Sequence, residues 1–259
     1  MSYLGLLPVA LVLSAASAFI FSYIIAVIRG DVSATFPYIS DSGAEVPESC
    51  VFGQLLNITA FLAFCTMYVR YKAVQALAGE EDRWLKKMNR VTMFLGIVSA
   101  AGCSLVANFQ EGTVVEPVHV VGAAMAFIGG IIYSFLQTSM SYHMYPDYSG
   151  LQVCRVRLGL TIVSLGALII SAIALKDWDN FGWRNRDKFK WRPDQPGYDA
   201  HVVSTAGEWL TALTFLGYFF TYVREFHKFD LEVNTRPLVR HLDEEPIEGT
   251  PNERTRLLA

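Results

Sequence analysis

LLPVALVLSAASAFIFSYIIAVI, residues 6–28, contains no charged residue. As an α-helix this stretch rises ~35 Å, enough to cross a hydrocarbon core of ~30 Å. Five further apolar runs follow at regular intervals: Val51–Val69, Val91–Asn108, Val118–Tyr142, Leu158–Leu175 and His201–Val223. The 259 residues are 53% hydrophobic and 17% charged, and the charge gathers between the runs and in the tail. Soluble domains usually carry about 25% charge. The reading is an all-α polytopic membrane protein: a six-transmembrane-helix bundle over residues 1–225, then a disordered cytosolic tail over 226–259. A net charge of −3 gives no sign of a nucleic-acid partner.

Residues 6–28 are read as a retained helix rather than a signal peptide. Ala16-Ser17-Ala18 has the small residues of a cleavage site. However, no Lys or Arg precedes the run, and the apolar stretch continues to Ile28. Lys and Arg then set the orientation. The segments after runs two, four and six hold 14 of them, against 7 after runs one, three and five. This places both termini in the cytosol. The fifth loop opposes that bias, because Lys176, Arg184, Arg186, Lys188, Lys190 and Arg192 fall on the lumenal side.

The tail decides between the two. Glu253-Arg-Thr-Arg-Leu-Leu258 fits the acidic-dileucine pattern [DE]xxxL[LI]. Such a peptide places two leucines in an apolar adaptor pocket while its acid meets a basic patch. Glu253, Leu257 and Leu258 therefore read as a sorting signal for clathrin adaptor complexes, which are cytosolic. The destination is the lysosomal or late endosomal membrane, with the plasma membrane as the alternative.

Small residues recur every fourth position in two runs: Ala10, Ser14, Ala18, Ser22 and Ala26, then Gly122, Ala126, Gly130, Ser134 and Thr138. Such grooves let helix backbones approach closely. They serve the bundle, and they leave a homo-oligomer open. The second loop is charged, with a helical extension over Glu80–Arg90. Trp178, Trp183 and Trp191 give the fifth loop an interfacial character.

Polar groups inside the runs are the candidates for a site, since the bilayer rejects them unless they are paired, protonated or hydrated. His201, Thr205, Glu208 and Trp209 share one face of the sixth run. Asn57, Asn108 and His119 fall in the same lumenal half. The expectation is Glu208 in the bundle, partnered by Asn57, Asn108, His119 or His201. A helix-fixing polar network, a lipid-headgroup or proton-linked site, and a catalytic site all fit that set. Two His and a Glu could hold a metal, but the spacing is non-local, and no metal or cofactor is assigned. The sequon Asn57-Ile58-Thr59 lies within an apolar run, out of reach of the glycosyltransferase. No GxSxG, HExxH or phosphate loop occurs, so the chain does not read as an enzyme.

Several segments resemble a known family: FIFSYIIAV at 19–27, Phe36-Pro-Tyr-Ile-Ser-Asp-Ser-Gly43, Pro47-Glu48, Met67-Tyr-Val-Arg-Tyr-Lys72, Val106-Ala-Asn-Phe-Gln110, Glu208-Trp209 and Phe220-Thr-Tyr-Val-Arg-Glu-Phe226. Together they are similar to the DNA-damage-regulated autophagy modulator (DRAM) family of the wider Frag/DRAM/Sfk group. The ending Asn252–Leu258 is most like the family's second paralogue. The resemblance implies a six-helix lysosomal membrane protein that promotes autophagy and, in some members, cell death. It implies no catalytic set. The Sfk branch adds the theme of lipid organisation, with membrane lipids as partners. Pro37, Tyr38, Asp41, Gly43 and Glu48 match the family as lumenal-loop positions, and Asn108 and Glu208 as polar positions.

Overall fold

The computed structural model describes residues 3–179, with side chains to 175, and residues 189–232. Met1–Phe229 is one compact unit, and Asp230–Ala259 is a second, of which residues 230–232 are described. The side chains of Lys176 and Trp178, together with Trp183, Arg184, Arg186, Lys188 and the tail signal Glu253, Leu257 and Leu258, lie outside the described residues.

Helices make up the architecture: α1 (Leu6–Arg29), α2 (Glu48–Leu77), α3 (Arg83–Asn108), α4 (Glu116–His143), α5 (Leu151–Asp179), α6 (Tyr198–Phe220) and a single turn, α7 (Val223–Phe226). No strand occurs among the described residues. Short connections make successive helices antiparallel neighbours. α1 pairs with α2, α3 with α4 and α5 with α6, while α2–α3, α4–α5 and α1–α6 contacts close the ring. One end of the bundle therefore gathers the start of α1, the end of α2 and α7. The far end gathers the first and third loops and residues 189–197 of the fifth.

The surface is apolar and the interior polar. Phe61, Phe94 and Phe135 are exposed on the outside, whereas Arg70, Arg157, Gln137 and Thr205 are buried. Water would favour the reverse. Five helices, α1 to α5, are long and apolar enough to cross a bilayer. α6 is not among them, and it carries Asp199, His201 and Glu208.

Two helices extend past their apolar runs, and this corrects the sequence reading of their ends. Arg70 and Arg157, counted above with the loops, lie inside α2 and α5 and are buried. Both are paired within the bundle with the one carboxylate of Glu225, so the helices need not stop at them. At Gly30, α1 ends in a left-handed residue (φ 75°) whose N–H caps Ala26 O and Val27 O. The expected helical extension over Glu80–Arg90 begins at Arg83, as part of α3.

Asp82 caps α3 by accepting the Leu85 N–H at 2.9 Å, and its other oxygen meets His143 Nε2 at 2.8 Å. One side chain thus ties the start of α3 to the end of α4. The Leu85 N–H and then His143 hold the Asp82 carboxyl below the usual aspartate range. Asp82→Ala is expected to cost about 1 kcal/mol and to lower the melting temperature of the detergent-solubilised protein by roughly 2–4 °C. The folded value is depressed, so the contribution is complete above the unfolded value of about 4 and lost as pH falls through the folded one. The gap between the wild-type and Asp82→Ala melting curves should accordingly close only in acid, below about pH 4.

Candidate functional site

The first loop folds back over the far end of the bundle. Pro37 O accepts the Trp209 indole N–H at 2.9 Å, Tyr38 donates to Ser204 Oγ at 2.7 Å, and the Ile39 N–H donates to Glu208 Oε2 at 3.3 Å. Three consecutive loop residues thus bind one face of α6, the face that the spacing of His201, Thr205, Glu208 and Trp209 marks out. Burial pushes the Tyr38 phenol above its ordinary value, with Ser204 acting against it. A 3-10 turn at Asp41–Gly43 follows, and Gly43 leaves no room for a Cβ against the Phe52 ring. Glu48, fully buried, lies 3.8 Å from Arg29 Nε, which also holds Asp31 at 3.0 Å. Pro37, Tyr38, Asp41 and Gly43 thus belong to one docked cap, whereas Glu48 opens α2.

The polar residues expected beside Glu208 sit in separate groups. Asn57 and Asn108 exchange amide hydrogen bonds at 3.0 and 3.1 Å, with Ser104 Oγ donating to Asn57 Oδ1 at 2.8 Å. Asn108 is exposed at the rim. His119 is buried, with Nδ1 2.6 Å from Phe109 O and Nε2 3.4 Å from Glu111. His201 is buried between Trp191, stacked at 4.8 Å, and Tyr38, edge-on at 5.4 Å. Trp191 therefore packs against the bundle, and the Ser33 N–H donates to Phe189 O, joining the first and fifth loops. None of Asn57, Asn108, His119 or His201 donates to Glu208; the Ile39 backbone does. Among the described residues, no group of three His, Cys, Asp or Glu could hold a metal.

Glu208 and His119 do share one feature. Both line a partly open cavity of about 150 Å³ between α1, α2, α3, α4, α6 and the loop residues Ile39 and Ser40. The remaining lining is mostly apolar, with Phe52, Leu56, Phe127 and Phe215 prominent.

The opposite end holds a charged centre that the sequence reading missed. Glu225 Oε2 lies 2.9 Å from both Arg70 Nη1 and Arg157 Nη2. Arg157 also donates to Ser141 Oγ at 2.8 Å and Thr221 Oγ1 at 2.9 Å, and Arg70 to Gln137 Oε1 at 3.2 Å. Gln137 passes the chain on to Thr92 at 3.1 Å. The Tyr222 ring takes both guanidinium groups, Arg157 at 4.6 Å and Arg70 at 5.3 Å from its centroid. α2, α3, α4, α5 and α7 all meet in this network, with Thr221 and Tyr222 between α6 and α7. A signal was present: Arg70 and Glu225 each stand inside a quoted aromatic motif, Tyr-Val-Arg and Tyr-Val-Arg-Glu.

Residues 3–229 match the family model described as the Frag1/DRAM/Sfk1/Cwh43P N-terminal domain. The chain is 44% identical over 261 residues to DNA damage-regulated autophagy modulator protein 2 of Homo sapiens, covering 99% of this chain and 96% of that one. It is 38% identical over 232 residues to DNA damage-regulated autophagy modulator protein 1 of Mus musculus, covering 90% and 94%. It is 33% identical over 174 residues to the modulator of macroautophagy TMEM150B-A of Xenopus laevis, covering 66% and 73%. No solved structure matches it.

Proposed function

The chain belongs to the Frag1/DRAM/Sfk1/Cwh43P family, and we propose from that premise that it is a multi-pass membrane protein that modulates autophagy as a non-enzymatic factor. The observation that carries this is likeness over nearly the whole length to proteins named autophagy modulators. Deleting the gene should lower autophagic flux, measured as the build-up of a lipidated autophagosome marker when lysosomal proteolysis is blocked. Re-expression should restore it. Unchanged flux in the deletion would overturn the proposal.

The chain crosses the membrane six times and keeps both termini in the cytosol. α6 has 23 residues, a rise of ~35 Å. It packs between α5 and α1, and its polar side chains turn inward to the cap and to Ser171. A helix so placed shares the bilayer with its neighbours. The end that gathers the Arg70–Glu225–Arg157 centre faces the cytosol.

The protein resides in late endosomes and lysosomes, delivered by clathrin adaptors that read Glu253, Leu257 and Leu258. A Leu257→Ala/Leu258→Ala variant should move from lysosome-marker structures to the cell surface in fluorescence imaging. Wild-type protein at the plasma membrane would refute the lysosomal assignment.

A further inference from the structure

The structure assigns the cavity beside Glu208 as a binding site for one hydrocarbon chain that carries a hydrogen-bond donor, an ammonium or a hydroxyl, on its polar end. This stands independently of the autophagy reading. The cavity of about 150 Å³ is the size of an engineered core cavity that holds benzene. It accepts a segment of a single chain. Its walls are chiefly aliphatic and aromatic side chains from five helices. An alkyl segment restores the contacts that the lining otherwise lacks.

Glu208 sets the polar end. It is half-buried and lines the cavity as one of its few polar side chains. The polar helix residues around the same cavity are already engaged. Thr59 bonds Leu55 O and Ser14, Ser99 bonds Ala126 O, and His119 is held by Phe109 O and Glu111. Glu208 has one hydrogen bond, from the Ile39 N–H to Oε2; Oε1 has no donor among the described residues. A carboxyl oxygen that faces mostly apolar walls without a donor is poorly satisfied. A donor arriving at the end of an alkyl chain satisfies it, whereas an acid headgroup would set carboxylate against carboxylate.

The test uses the full chain in phosphatidylcholine nanodiscs and three probes. The probes share one long alkyl chain bearing a diazirine and an alkyne, and end in an amine, an alcohol or a carboxylic acid. Crosslinked peptides are mapped by mass spectrometry. The amine, the alcohol or both should label cavity-lining segments such as Phe52–Met67 and Ala212–Phe219. The acid should label them about tenfold less than the better donor probe, the least that a buried charge pair is worth in binding. Labelling by the amine alone identifies a long-chain base as the source, and labelling by the alcohol as well identifies a neutral lipid. Glu208→Gln should erase the gap between amine and acid. Ala212→Leu and Ala63→Leu, which fill the cavity, should suppress cavity labelling by every probe. Whichever variants elute as a folded peak in size-exclusion chromatography carry the comparison. Equal labelling by all three probes in the wild type, or label confined to outward-facing residues such as Phe61, Phe94 and Phe135, would overturn the assignment.

Discussion

Replacing Glu225 with Ala should destabilise the bundle by about 3–5 kcal/mol, the usual consequence of removing one partner from a buried ion pair. Two guanidinium groups would remain with no carboxylate, Arg157 fully buried and Arg70 nearly so. Neither can lose its proton to escape. The effect passes beyond one contact, because Arg157 also fixes Ser141 and Thr221, and Arg70 fixes Gln137 and through it Thr92. The protein in detergent should melt well below wild type or fail to elute as a folded peak. An unchanged melting temperature would show that the centre contributes nothing net. Glu225→Leu combined with Arg70→Met and Arg157→Met should recover much of the loss, since apolar groups of similar volume often replace a buried ionic cluster. Burial pushes the Glu225 carboxyl up, but Arg70 and Arg157 outweigh it and hold it below the usual glutamate range. Its contribution is therefore complete above about pH 4.3 and lost as pH falls through the lower folded value.

That centre shows where the sequence stopped being legible. The apolar runs locate six helices, five of which, α1 to α5, are long and apolar enough to cross a bilayer. They do not locate helix ends, since a charged residue reads as a terminus whether or not a partner awaits it. Arg70 and Arg157 read as loop cations because Glu225, 155 and 68 positions further on, cannot be linked to them without the packing. Glu208 was legible as a carboxyl within an apolar run. Its donor was not, because the Ile39 N–H is a backbone group that any residue carries, and only the path of the loop brings it near. The shared face of His201, Thr205, Glu208 and Trp209 follows from helical spacing alone, and the cap engages Trp209 and Glu208 on it. Convergence of Asn57, Asn108 and His119 on the same point needed the helix rotations, which set them in groups of their own.

Glycines give the sharpest contrast between positions of identical chemistry. Gly102 of α3 and Gly122 of α4 face one another: a Cβ on Gly102 would lie 2.6 Å from Ala126 N and Gly122 O, and one on Gly122 would lie 2.7 Å from Leu105 Cβ. The obstacles are largely backbone, which has no rotamer by which to yield. Gly122→Leu should force α3 and α4 apart, against the close contact that the small-residue groove permits, and cost more than about 3 kcal/mol. A fluorescently tagged variant should lose its folded peak in size-exclusion chromatography. On α5, a Cβ added at Gly159 or Gly166 would meet nothing within 4 Å, and Ile162 and Ile169 beside them are exposed. If lipid covers that face, Gly159→Leu should be neutral or gain up to about 1 kcal/mol from the better helix former. If Gly159→Leu instead shifts the peak to a smaller species while the fold survives, that face is the contact between copies of this chain. Gly122 tests the packing inside the bundle and Gly159 what lies outside it, so the pair separates a folding defect from an assembly defect in one experiment.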